Sequence, residues 1–190
     1  YVFACGPWLS KIFPIALKDV IQPTRQEVFF FGTPYGNTDY FEQKTPVWTD
    51  FGEKLWYGIP GAEWRGFKVA DDTRGVDFDP TTGDRTPSKR GIESARKYLG
   101  KRFPGMKNAP LLEARVCQYE NSLDGNYIID RHPNADNIWV IGGGSGHGFK
   151  LGPALGEFVA DRVTGKKEVD PFFSLSRFSD EPKKKTQFNQ

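Results

Sequence analysis

Short apolar runs that alternate with turn residues predict a chain rich in β-strands. Residues 1–5 form an unbroken apolar run that ends at Gly6-Pro7, which is typical of a buried strand. Natural chains seldom begin inside a core strand, so we expect further residues upstream of Tyr1. Strands are also predicted, from their β-branched and aromatic content, at 25–31, 54–59, 66–70, 111–119 and 127–130.

Turn residues and apolar periodicity predict a strand pair and a helix in the middle of the chain. The strands at 54–59 and 66–70 are separated by a short segment that begins with Pro60-Gly61, and this spacing favours an antiparallel pair. A helix is predicted from Ser88 onward, because apolar residues recur there at steps of three and four. These apolar residues are Ile92, Ala95, Leu99 and Phe103.

The last third of the chain combines a strand, a glycine-rich loop and a helix. Residues 138–141 are apolar throughout, as expected for a central strand covered on both faces. The loop at 142–150 follows, and a helix is predicted from Leu151 to Gly165. This order presents backbone N–H groups and a helix N-terminus to a planar or anionic group. A tight strand-to-helix turn without a ligand is the alternative.

The glycine loop matches none of the common glycine motifs. A dinucleotide fingerprint needs glycine where His147 or Phe149 stands, and a nucleophile elbow on Ser145 fails for the same reason. The Gly-Lys-Ser/Thr ending of a phosphate-binding loop is also absent. Two histidines, and no second cysteine near Cys117, leave no credible spacing for a metal site.

Composition narrows the class of partner. The 26 Lys and Arg residues against 24 Asp and Glu residues, a net charge of +2, create no field toward nucleic acid or an anionic membrane. No apolar run of about 18 residues predicts a membrane span. Two cysteines in 190 residues make no disulfide framework, and no signal-peptide pattern is present. We therefore expect a cytoplasmic protein with neither a nucleic-acid nor a membrane partner.

Seven segments, in the same order along the chain, resemble the flavin amine oxidases of the monomeric sarcosine oxidase and N-methyltryptophan oxidase group. The segment Ser-Gly-His-Gly-Phe-Lys at 145–150 is the most specific, and the resemblance extends to about Phe178. The other segments are 4–8, 22–26, 57–60, 66–68, 116–119 and 127–130 with His132-Pro133.

The resemblance implies an α+β (α/β) fold in two parts. One part is a mixed, largely antiparallel substrate-domain sheet, and the other is an FAD-binding domain assembled from separate stretches of chain. Residues 1–10 would end a strand of the FAD-binding domain, and residues 11–120 would form the substrate domain. Residues 121–178 would return to the FAD-binding domain as strand, glycine loop and helix, before a mobile tail at 179–190. The dinucleotide fingerprint of the family would lie in an N-terminal FAD-binding segment, which this chain needs as a partner.

The resemblance also implies covalently bound FAD. Cys117 matches the position at which these enzymes attach the flavin through a thioether, a reaction that needs a thiolate. Arg115, two residues away on the same strand face, would favour that thiolate. A small buried hydrophobic residue is the alternative for Cys117. The other residues implied to hold the flavin are Gly6, Trp8, Gly144, Ser145, Gly146, His147, Gly148, Phe149 and Lys150.

Four residues match catalytic positions of the family. Lys68 would face the flavin and stabilise developing superoxide, and Lys150 would stabilise negative charge at the pyrimidine edge. Tyr57 and Tyr119 would line the substrate cavity, whereas surface lysines and core aromatics are the alternatives. The implied reaction oxidises the C–N bond of a secondary amine or N-substituted amino acid to an imine, with O2 reduced to H2O2. Without the N-terminal segment, we expect the chain to be inactive.

One residue departs from the sarcosine oxidase pattern. Asp72 stands four residues beyond Lys68, where those enzymes have histidine. Residues 68–72 instead resemble the fructosyl amino acid oxidases, although the glycine-loop ending of those enzymes differs. The substrate is therefore open between a simple N-substituted amino acid and a glycated one. A flavin dehydrogenase, or a non-catalytic binding module or subunit whose flavin is held by a separate chain, is a further alternative.

Overall fold

The computed structural model describes residues 1–62 and 64–179, which form two compact units. Unit 1 contains residues 1–24, 76–83 and those from 118 onward. Unit 2 contains residues 25–75 and 84–117. The predicted domain boundaries stay a prediction, and apart from Ser179 the predicted mobile tail lies outside the described residues.

Eight strands and four α-helices make up the described chain. The strands are β1 (Val2–Phe3), β2 (Ile21–Phe31), β3 (Trp48–Phe51), β4 (Leu55–Ile59), β5 (Phe67–Asp71), β6 (Leu111–Ser122), β7 (Ile128–His132) and β8 (Ala135–Gly142). The helices are α1 (Leu9–Ile12), α2 (Pro14–Leu17), α3 (Lys89–Arg102) and α4 (Gly152–Val163). Single 3₁₀ turns occupy Gly6–Trp8, Pro104–Met106, Phe149–Leu151, Pro171–Phe173 and Leu175–Phe178. None of the helices within the described residues is long and apolar enough to cross a membrane.

A five-stranded sheet in the order β3-β4-β5-β2-β6 is the frame of unit 2. The β3/β4, β4/β5 and β5/β2 pairs are antiparallel, which confirms the predicted pairing across Pro60-Gly61. The predicted α+β class with a largely antiparallel sheet is confirmed.

Helix α3 covers one face of this sheet. Its N-cap is Ser88, whose hydroxyl accepts a hydrogen bond from the Gly91 N–H at 2.9 Å. Glu27 on β2 accepts from both the N–H and the hydroxyl of Ser88, and these bonds fix the start of the helix. Ala95 and Leu99 are buried against the sheet, as their spacing predicts. The sheet supplies Phe29, Phe31, Trp56, Phe67 and Val69 to the same core.

Unit 1 contains a smaller sheet in the order β1-β8-β7, in which β8 is central, as its apolar sequence predicts. β1 runs parallel to β8, and β7 runs antiparallel to it. The prediction of a buried strand at 1–5 is wrong for the described chain: Tyr1 is 81% exposed and Val2 is 49% exposed. β1 pairs only with β8 among the described residues, so it is an edge strand and one of its sides meets no neighbour.

Candidate functional site

The sheet face of unit 2 opposite α3 carries two predicted catalytic residues, Tyr57 and Lys68. The antiparallel register pairs Ile59 with Lys68 and Tyr57 with Ala70, so Tyr57 and Lys68 point to the same face. The Lys68 ammonium lies 4.7 Å from the centre of the Tyr57 ring, in a cation–π contact. Lys68 forms no ion pair with any carboxylate of residues 1–62 and 64–179. The face therefore holds a half-buried positive charge beside an aromatic ring.

Cys117 lies on the same face of unit 2. Phe30 pairs with Lys68, and the Arg115 guanidinium lies 5.8 Å from the Phe30 ring centre. Side chains alternate along a strand, so Cys117 points to the side of Arg115, and its thiol is free and half-buried. The structure thus brings Cys117, Lys68 and Tyr57 to one sheet face.

The Arg115 charge is not reserved for Cys117. Its guanidinium donates to the Glu113 carboxylate, and this hydrogen bond raises the pKa of Arg115 above its ordinary value. The positive charge of Arg115, which was predicted to stabilise a Cys117 thiolate, is therefore also paired with Glu113. That ion pair is exposed and contributes little to stability on its own.

The glycine loop in unit 1 is fastened to the end of β6. The Ser145 N–H donates to the Glu120 carbonyl at 3.1 Å, and the Ser122 N–H donates to the Ser145 hydroxyl at 3.2 Å. Ser145 and Gly143 both have positive φ, of 46° and 71°. A serine in this conformation is uncommon, and the two hydrogen bonds hold it there.

Tyr119, also a predicted site residue, packs under the loop at Gly146. Gly146 has φ of 86°, and a methyl group added there would come within 2.3 Å of the Tyr119 ring. Only glycine allows both the backbone conformation and this close approach. Among the described residues, the Gly146 and Gly148 N–H groups have no hydrogen-bond acceptor, so two backbone donors are free, and their role toward a ligand stays a prediction.

Gly146→Ala is expected to lower the free energy of unfolding by about 2 kcal/mol, because the methyl group strains the backbone and displaces the Tyr119 ring. Urea denaturation measures this loss. Gly148→Ala is the matched control, since its methyl group would meet its nearest atoms at 3.6 Å, an ordinary contact. Equal losses for the two variants would contradict the packing argument.

The remaining loop residues differ in how firmly their side chains are fixed by contacts. His147 Nε2 lies 3.2 Å from the Gly125 carbonyl, and its ring packs edge-on against Tyr127 at 5.8 Å. Lys150 is exposed and donates to the His147 carbonyl at 3.2 Å, while Phe149 is fully exposed. A 3₁₀ turn at Phe149–Leu151 precedes α4, so the predicted helix begins at Gly152 rather than at Leu151.

Gly6 and Trp8 lie at the same end of the small sheet as the glycine loop, the end at which β1 and β8 finish. β1 and β8 are parallel, with Phe3 paired to Val140, so the segments that follow both strands leave the sheet on one side. The Trp8 indole N–H donates to the Thr81 hydroxyl at 3.0 Å. The structure therefore places Gly6, Trp8 and the glycine loop at the carboxyl end of the same two strands.

Glu120 is a candidate site residue that the sequence reasoning missed. One carboxylate oxygen, Oε1, accepts a long hydrogen bond of 3.4 Å from the Gly144 N–H. The other, Oε2, is buried and has no partner among the described residues. Burial raises the pKa of Glu120 to about 7, against the lowering effect of the Gly144 and Gly143 N–H groups. Alternation on β6 was an available signal, because Glu120 shares a strand face with buried Val116.

Comparisons with known proteins show which family and fold the chain shares. A family model described as FAD dependent oxidoreductase matches residues 1–162. The chain is 33% identical over 184 residues to the monomeric sarcosine oxidase of Bacillus sp. (strain NS-129), which is 93% of this chain and 46% of that protein. It is 33% identical to the N-methyl-L-tryptophan oxidase of Salmonella dublin, over 94% of this chain and 47% of that protein. The chain thus spans about half the length of these curated relatives.

Solved structures share the fold. Fructosyl amine: oxygen oxidoreductase (Amadoriase I) from Aspergillus fumigatus superposes with a TM-score of 0.75 at 22% identity, over 92% of this chain and 42% of that chain. L-proline dehydrogenase from P. horikoshii superposes with a TM-score of 0.73 at 24% identity, over 94% of this chain and 46% of that chain.

Proposed function

Because this chain belongs to the family of FAD-dependent oxidoreductases, we propose that it serves in an amine oxidase that converts a secondary amine or N-substituted amino acid to an imine. O2 is the proposed electron acceptor and H2O2 the product. The observation that carries the proposal is the sheet face of unit 2, where the Lys68 ammonium rests on the Tyr57 ring and shares the face with the Cys117 thiol.

The residues present fit a bound flavin. Within residues 1–62 and 64–179, the loop residues Gly146 and Gly148 offer N–H donors without protein acceptors, and the close approach at Gly146 leaves no room for a side chain. When bound, FAD supplies the oxidation of the amine C–H bond and the transfer of electrons to O2. The FAD-binding segment of the family is the proposed partner that completes this site.

Cys117, the four predicted catalytic residues and the loop N–H groups have the following proposed tasks. Cys117 holds the flavin covalently, and Lys68 provides positive charge where oxygen gains an electron. Lys150 and the loop N–H groups stabilise negative charge on the cofactor. Tyr57 and Tyr119 position the amine and exclude water from it.

Mass spectrometry of the Cys117 peptide tests the covalent link. From the complete flavin-loaded protein, we expect this peptide to carry the added mass of FAD or of its digestion product. Cys117 is free to form the bond, and unit 2 contains no other cysteine that could carry the flavin. Cys117→Ser is expected to release the flavin on denaturation, whereas Cys5→Ser is the matched control and retains it. An unmodified Cys117 peptide in a yellow protein would show that the flavin is held without a bond. A folded, complete but colourless protein would favour a non-catalytic binding module.

Asp72 supports glycated amino acids as a second substrate class. It directly follows β5, the strand of Lys68, and its N–H donates to the Leu55 carbonyl at 2.7 Å, so its backbone is fixed. A carboxylate at this position attracts a cationic or polyhydroxylated group on the substrate, additional to the amine, better than a histidine does. Measuring H2O2 release with sarcosine and with a fructosyl amino acid distinguishes the two classes.

A further inference from the structure

Glu120 is buried where a carboxylate has little to compensate for lost water. Its Oε2 has no hydrogen-bond partner among the described residues, and a Cβ added at Gly142 would meet that oxygen at 2.9 Å. The same Cβ would also meet Leu9 and Ile21, so apolar side chains line this space together with the carboxylate. A carboxylate in such surroundings costs stability unless it is protonated or paired.

The carboxylate is also joined to the glycine loop. Oε1 accepts from the Gly144 N–H, and the Glu120 backbone carbonyl accepts from the Ser145 N–H. One residue therefore fixes two successive positions at the start of the loop. The two N–H groups that have no acceptor in the described part of the chain, at Gly146 and Gly148, come next along the loop.

We propose that Glu120 is a positioning residue that fastens the start of the glycine loop and, by gaining or losing its proton, changes the electrostatic potential that the loop presents to the bound flavin. This inference rests on the proposed function, because it requires flavin at the loop. Only a proton exchanged with solvent is involved, and no bond is made or broken in the cofactor.

The neighbours of Glu120 leave few other groups to explain such a titration. Burial, and after it the Glu120 charge, raises the pKa of Tyr127 above its ordinary value, so Tyr127 is a coupled neighbour. His147 packs on that tyrosine. The Asp124–Arg177 ion pair is also near the loop, because the Ser122 hydroxyl donates to the Asp124 carboxylate while the Ser122 N–H donates to Ser145. Burial raises the pKa of Asp124, but the hydrogen bonds from Arg177 and Asn126 together outweigh it and hold that pKa below its ordinary value. Leu9 of α1 and Ile21 of β2 are apolar and line the same space at Gly142 as the carboxylate.

The sign of the effect follows from charge. A deprotonated Glu120 adds a negative charge beside the loop, so it disfavours a further negative charge on the flavin and lowers the reduction potential. Linkage requires the reciprocal effect, namely that reducing the flavin favours protonation of Glu120. The potential should therefore fall more steeply with pH across the titration of Glu120 than on either side of it.

Potentiometric titration of the complete flavin-loaded protein between about pH 5 and 9 tests this inference, with the flavin absorbance as the readout. We expect the wild-type potential to show an additional bend that Glu120→Gln lacks. Glu157→Gln, an exposed glutamate on α4, is the matched control and keeps the bend.

The outcomes separate the two proposals. A bend that survives in Glu120→Gln, or a wild-type protein without one, would overturn the role of Glu120 while leaving the flavin assignment intact. A complete wild-type protein that binds no flavin refutes the proposed function itself. If Glu120→Gln does not fold, Glu120→Asp replaces it: a bend displaced in pH supports the inference, and a bend at the wild-type pH contradicts it.

Discussion

Lys68→Met is expected to slow the reaction of the reduced flavin with O2 by about 10²- to 10³-fold, the usual cost of removing one preorganised electrostatic group. Methionine has similar volume but no charge, so the Tyr57 ring keeps a neighbour while the cation–π contact is lost. Flavin content and the anaerobic rate of flavin reduction by the amine should stay close to wild type. Stopped-flow mixing of the anaerobically reduced enzyme with oxygenated buffer measures the effect.

Lys54→Met is the matched control for this experiment. Lys54 is on the turn before β4, pairs with Asp71 and lies 5.8 Å from the Trp56 ring centre, so it too is a lysine beside an aromatic ring. Its loss should leave the oxygen reaction unchanged. If both variants react with O2 at the wild-type rate, Lys68 has no role in oxygen activation, and a flavin dehydrogenase with another acceptor becomes the better hypothesis.

Glu120→Gln is expected to stabilise the protein at pH 8 by about 2–3 kcal/mol relative to wild type, because the folded state no longer has to bury a carboxylate. The amide has the same shape as the carboxyl group and no charge. Urea unfolding followed by tryptophan fluorescence, repeated from pH 4 to 8, measures the difference.

The direction of this pH dependence follows from the raised pKa. Glu120 titrates at about 7 in the folded state against 4.5 for an ordinary glutamate, so between these values the folded state binds the additional proton. The contribution of Glu120 to stability is therefore complete below about pH 4.5 and is lost as pH rises through 7. Wild type and Glu120→Gln should have similar stabilities at low pH and diverge above about pH 5. A difference that grows instead as pH falls would show that the folded carboxyl has a lowered pKa.

Local sequence patterns predicted most of the elements of unit 2. The apolar spacing around Ala95 and Leu99 predicts α3, and the aromatic and β-branched content predicts β4 and β5. These predictions succeed because each element buries one face, and the period of that face is written into the chain. Burial was harder to predict: residues 1–5 have the composition of a core strand, yet Tyr1 and Val2 are exposed in the described chain, where β1 pairs only with β8.

For the candidate site too, the sequence indicated individual residues and the structure showed how they are arranged. Residue matches indicated Lys68, Tyr57 and Cys117 separately, and the register of the sheet places them on one face. Glu120 carried no motif, and its charge alone suggests a solvated strand residue.

By itself, the sequence determined the α+β class, the positions of most strands and helices, and the family to which the chain belongs. The tertiary structure alone decided which side chains meet: the Lys68 ammonium on the Tyr57 ring, the Tyr119 ring under Gly146, and the Glu120 carboxylate beneath the loop. The physical reason is that periodicity and propensity depend on neighbours within a few residues, whereas burial, pairing and pKa depend on neighbours that are distant in the chain.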